Sequence, residues 1–145
     1  MYSVSSAMML RPESRARARA LQLLYAWETD GRPALDTLLA GVARITRPGP
    51  VVLEQAVALA GGVIQRREEL DRLFARAAEH WRIDRLATID RNILRLGAFE
   101  LLTERVPPRV AIDEALWLAH RFGGLESAGF VNGVLDAVAR NLGRL

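Results

Sequence analysis

Cysteine is absent from this 145-residue sequence, and so is lysine: all 20 basic side chains are arginine. Without cysteine there are no disulfides and no thiolate metal sites, which fits a reducing cytoplasm. The lack of lysine carries little functional weight, since a GC-rich genome produces the same bias. It does raise the isoelectric point to about 10.4, because guanidinium groups do not titrate away at high pH. Aromatic residues make up only 6% of the chain, so the core must come from Leu, Val, Ile and Ala. His80 and His120 are the only histidines, neither with a metal-type neighbour, and no metal site is expected. No stretch approaches the roughly 20 uninterrupted apolar residues that a membrane span needs. The opening MYSVSSAMML lacks a basic segment followed by a long apolar run, so no signal peptide is expected. The expectation is a cytoplasmic protein with no membrane partner.

Catalytic signatures are missing as well. There is no nucleophile elbow, no P-loop and no dinucleotide fingerprint. Asp113–Glu114 and Glu68–Glu69 are acidic pairs, but adjacent residues on a helix point about 100° apart. They read as solvated faces or helix-end charges. No cofactor and no enzymatic activity are expected.

What is present is a localised charge. The net charge is +3, and residues 1–27 hold four arginines (Arg11, Arg15, Arg17, Arg19) against Glu13 alone. The rest of the chain balances, so the surplus sits where a phosphate backbone would feel it.

Helical periodicity runs almost throughout, broken at Gly and Pro clusters. The first helix is expected from about Ser14, a competent cap, to just before Gly31. A second runs through 34–45 behind Pro33 and ends before Pro48. Pro50 opens a long third over 51–81, in which Gly61–Gly62 marks a close crossing or a kink. A fourth spans ATIDRNILRLGAFELLTE, closed by the VPP at 106–108; a fifth, VAIDEALWLAHRF, stops at Gly123–Gly124; a sixth starts near Glu126. No useful segment alternates with period two. The fold class is therefore all-α: one helical bundle of six to seven helices over 13–145, behind a flexible tail at 1–12. The fourth helix is apolar all round and should be central, with Glu100 among aliphatics. That carboxylate either finds an internal partner or opens onto another protein.

The stretch RARARALQLLYAWE at 15–28 is a helix despite its Arg–Ala alternation. Ala16, Ala20, Leu23, Leu24 and Trp27 share one face within about 100°, while Tyr25 points away from it, on the side of Arg15 and Gln22. Arg17 lies on the opposite flank. A tyrosine beside an amide and a guanidinium can stack on a base, bond its edge and neutralise a phosphate. The plainer alternative has Tyr25 packing under a neighbouring helix. In the sixth helix Val131, Val134, Leu135, Val138 and Leu142 form the core stripe, and Phe130 sits well off its centre near the helix N-terminus. Free amides there favour anions, and Ser127 or Glu126 can cap them. Phe130 reads either as a core-edge residue or as a base-stacking one.

Together these segments resemble the NusB family of bacterial transcription antitermination factors. The resemblance rests on R-A-R-x-x-A-L-Q-L-L-Y near the start, IDRNILRLGAFEL at 89–101, VPPRVAIDEALWLAHRFGG at 106–124 and ESAGFVNGVLD at 126–136. It implies an all-helical RNA-binding protein that pairs with the small ribosomal subunit protein NusE. The pair would recognise single-stranded boxA RNA in nascent ribosomal RNA transcripts and help RNA polymerase resist termination. At matching positions it places Arg15, Arg17, Gln22 and Tyr25 on the RNA side, joined by Glu126, Ser127, Phe130 and Asn132. Glu100 and its neighbours would face NusE. The sequence departs from the family pattern in carrying Glu13 and Ser14 before Arg15, and Glu126 where Asp is commoner. Two other readings compete: the NusB-like module of a ribosomal RNA methyltransferase, which would need a catalytic domain beyond Leu145, and a helical homodimer scaffold that binds no RNA.

Overall fold

The computed structural model describes residues 11–34, 36–38, 40, 49–77 and 86–145. Among them there are helices and connections and no strand, as the missing period-two patterning implied. The chain divides into two compact units, Met1–Ile64 and Gln65–Leu145.

In the first unit, α1 spans Pro12–Thr29. Pro12 occupies the first turn, where its missing N–H costs no hydrogen bond, and Arg11 before it is extended. The helix thus begins two residues before Ser14, which is buried inside the first turn rather than capping it. The tail expected over 1–12 lies outside the described residues apart from Arg11 and Pro12. The expected apolar face of Ala16, Ala20, Leu23, Leu24 and Trp27 is buried, and the buried arc widens to include Arg17, Ala18 and Leu21. Gly31, at φ 82°, turns the chain after α1, and the Arg32 guanidinium lies 5.2 Å from the centre of the Trp27 ring. Residues 36–38 and 40 are helical; the remainder of the expected second helix lies outside the described residues.

Helix α2, Pro50–Gln65, buries Val52, Ala56, Leu59, Ala60 and Val63 at helical spacing. The long third helix expected over 51–81 is in fact two helices. Gly61–Gly62 sits inside α2 without interrupting it, and the break falls at Arg66, ahead of α3, Arg67–Ala77. Charge explains the position. Glu68 and Glu69 stand in the first turn of α3, where they favour a helix start, and Arg66 pairs with Glu69 at 3.3 Å. Residues 78–81 lie outside the described set.

The second unit is built around α4, Thr88–Thr103, in which ten consecutive residues from Asn92 to Leu101 are buried. It packs against α3, against α5 (Pro108–Phe122) and against α6 (Ser127–Asn141). This is the central helix that its all-round apolar pattern foretold. Gly97 sets the approach of α6: a Cβ there would come 2.5 Å from Leu135 Cδ1. Arg95, buried on α4, reaches α3 through a two-point bond to Asp71, Nε to Oδ1 at 2.7 Å and Nη2 to Oδ2 at 2.9 Å. Glu104 takes a left-handed backbone (φ 54°) that ends α4, and Pro107–Pro108 begins α5. Gly123 ends α5, its N–H bonded to the Ala119 carbonyl at 2.9 Å.

Candidate nucleic-acid interface

On α1, residues Ser14, Ala18, Leu21 and Tyr25 follow one another at spacings of four, three and four, which makes a single stripe along the helix. The first three are buried, whereas Tyr25 is 44% exposed. The stripe therefore emerges from the interior at the tyrosine. Arg15 is exposed and Gln22 half-buried. Arg19 Nη1 donates to Gln22 Oε1 at 3.0 Å, which orients the amide and leaves its nitrogen as the donor end. Arg17, on the flank opposite Tyr25, is buried rather than exposed on the RNA side that the resemblance implies for it.

In the second unit the residues expected on α6 separate into two kinds. Glu126, Ser127 and Phe130 come together along one open groove of about 1090 Å³, whose other wall is Leu86, Ala87 and Asp90 at the head of α4. Phe130 is half-buried and Glu126 exposed. Asn132 is exposed and does not line the groove. Ser127 is buried, and it does not cap α6. Its Oγ accepts the Gly124 N–H at 2.8 Å, while its own N–H returns to the Gly124 carbonyl at 3.2 Å. The expected cap is thus a loop lock. It also explains Gly123, where a Cβ would sit 2.7 Å from both Ser127 Oγ and the Ala119 carbonyl. Glu126, in the capping position, makes no side-chain cap bond.

Sequence reasoning missed the α4 wall. Asp90 Oδ1 is buried without a hydrogen-bond partner, and among the described residues the groove lining carries two carboxylates, Asp90 and Glu126. Those carboxylates suit hydrogen-bond donors on the edge of a base beside the Phe130 ring. The IDRN segment carried this residue in plain view, but only the fold sets it across from α6. Leu125, on the groove rim, is fully exposed.

Glu100 is 3% exposed, so its carboxylate lies inside the protein, the first of the two placements the sequence left open. The surface at that end of α4 is formed by Glu104 and Arg105, both exposed, with the Arg105 guanidinium 6.0 Å from the centre of the Phe99 ring. Among the described residues no group of three His, Cys, Asp or Glu side chains could hold a metal ion, and no helix is long and apolar enough to cross a membrane.

The architecture is that of an all-helical protein whose second unit is organised on one buried helix, with aromatic and arginine side chains offered from helix surfaces. Residues 14–140 match the model of the NusB family, and the chain belongs to that family. It is 42% identical over 133 residues to the transcription antitermination protein NusB of Solibacter usitatus, covering 88% of each chain. Its fold is similar to that of NusB from T. maritima, with a TM-score of 0.79 at 34% identity over 90% of this chain and 92% of that one. It is also similar to a chain in the crystal structure of the antitermination factors NusB and NusE in complex with dsRNA. There the TM-score is 0.79 at 29% identity, over 92% of this chain and 99% of that one.

Proposed function

We propose that this chain is a transcription antitermination factor that, together with NusE, binds boxA RNA of nascent ribosomal RNA transcripts and helps RNA polymerase resist termination. The observation that carries the reading is the groove at the head of α6, where Phe130 shares a lining with the Asp90 and Glu126 carboxylates. Family membership, and a structural neighbour holding both NusE and RNA, support it. The division of labour follows from the chemistry. Arg15 neutralises phosphate, Tyr25 and Phe130 stack on bases, and Gln22, Glu126 and Asn132 bond base edges. Arg17 and Ser127 serve from inside, the first supporting α1 and the second locking the loop before α6. Glu100 acts the same way for the NusE side, beneath the exposed Glu104 and Arg105. The protein works in the cytoplasm as a binding factor without catalysis, as one RNA-binding domain over 13–145 behind a short tail.

With few phosphate contacts the chain alone binds RNA modestly and gains affinity from NusE. A filter-binding titration at two salt concentrations, with and without NusE, tests this, because the salt slope counts phosphate contacts. The expected result is a shallow slope and tighter binding when NusE is added. Equal affinity for boxA and a scrambled strand in both arms overturns the reading. Double-stranded RNA is the second ligand to test, because the neighbouring complex contains it. Preference for a duplex over the single strand would replace base stacking with backbone recognition.

A further inference from the structure

The turn between α4 and α5 is held by a residue 40 positions further along the chain. Glu104 occupies the left-handed region with a side chain attached, a conformation that is unfavourable for a non-glycine residue. The last carbonyls of α4 also lack partners within the helix. Arg144, beyond the end of α6, answers both needs. Its Nη1 donates to the Leu101 carbonyl, its Nη2 donates to the Val106 carbonyl at 3.3 Å, and its Nε lies 3.6 Å from Glu104 Oε1. The Arg144 side chain is only 16% exposed. One planar guanidinium thus bridges the last turn of α4 and the far side of the turn, a span that a lysine ammonium cannot cover with the same geometry. Helices more often solve this problem with glycine just past the last turn.

We propose that Arg144 is a positioning residue for the partner-binding end of α4: it fixes the 104–107 turn so that Arg105 and Glu104 are presented in one arrangement before a partner protein arrives. A turn ordered in advance lowers the entropic cost of association. The proposal rests on the reading that this end of α4 faces NusE.

The test is calorimetric titration of NusE into the wild-type chain and into Arg144→Ala, Arg144→Lys and Arg105→Glu. Amide exchange at 103–107 and binding of boxA RNA to the NusE-free chain are measured in parallel. Arg144→Ala weakens NusE binding about tenfold and speeds exchange in the turn, while exchange along Asn92–Leu101 and RNA binding by the free chain stay as in wild type. Arg144→Lys keeps the charge but loses the bridge, so it falls between the two; it also serves if the alanine variant does not fold. Arg105→Glu weakens NusE binding without speeding exchange. If Arg105→Glu weakens NusE binding and both Arg144 variants leave it within twofold, the positioning role is overturned while the NusE-facing surface stands. If all three leave it unchanged, the assignment of this end of α4 to NusE fails first. Weaker binding with unaltered exchange at 103–107 also overturns positioning, since the effect would then bypass the turn.

Discussion

Arg95 and Asp71 meet across α3 and α4 in a two-point bond, and the remaining Arg95 nitrogen, Nη1, donates to Asn92 Oδ1 at 3.0 Å. The arginine is buried and the aspartate a third exposed. Asp71→Ala takes the two-point carboxylate partner away from a buried guanidinium. It should cost about 1.5–3 kcal/mol, less than for a fully buried pair because water reaches the carboxylate side. The double variant Asp71→Leu/Arg95→Met, which removes both charges, should recover most of that loss. Urea unfolding of the single and double variants checks it, and a double variant no more stable than Asp71→Ala would show that the pair is not the source.

Gly97→Ala should destabilise by about 1–3 kcal/mol, because the added methyl drives into the fully buried Leu135 on α6. Trimming the obstacle, in Gly97→Ala/Leu135→Val, should cost less than the two single changes added together. Thermal melts of the four proteins measure the coupling, and strict additivity would mean that the helices are not in register at this point.

Tyr25 and Leu21 share a stripe of α1 but differ in what surrounds them. Leu21→Ala should cost about 2–5 kcal/mol of stability, the usual range for a buried leucine. Tyr25→Ala should leave the melting temperature nearly unchanged and weaken boxA binding by about 1–3 kcal/mol, the worth of one stacked base. Circular dichroism melts and RNA titrations on both variants separate the effects. Wild-type RNA affinity in a folded Tyr25→Ala would remove α1 from the RNA face.

Ser127→Ala removes the acceptor of the Gly124 N–H and should cost about 1 kcal/mol. Gly123→Ala should cost more, since its methyl meets the Ala119 carbonyl and Ser127 together. Melting temperatures in the order wild type, Ser127→Ala, Gly123→Ala are expected, and the reverse order for the two variants would contradict the loop-lock assignment.

Periodicity made the helices legible, along with the buried face of α1 and the all-round burial of α4, because apolar spacing responds to the same geometry that folding does. It understated the burial of Ala18 and Arg17: alanine marks no face, and an arginine is presumed outside unless a partner is known. It missed the break before α3, since a Gly–Gly pair draws more attention than Arg66 followed by two glutamates. Asp90 and Arg144 were out of reach for another reason. Their roles depend on neighbours brought together by helix packing, and nothing in the local pattern of either residue reports that. Glu100 stands between these cases: its need for company was readable, but not where the company lies.

The stripe of α1 is addressed by counting. Moving one residue along a helix rotates the side chain by about 100°, so a single insertion between Leu21 and Tyr25 would swing the tyrosine to another side while the turns before it kept their packing. Substitutions at Tyr25 can thus vary what the helix offers, but only the number of residues in the preceding turns decides which side offers it. The outward-facing position is written in the length of the segment, and that length is harder to alter than any one of its letters.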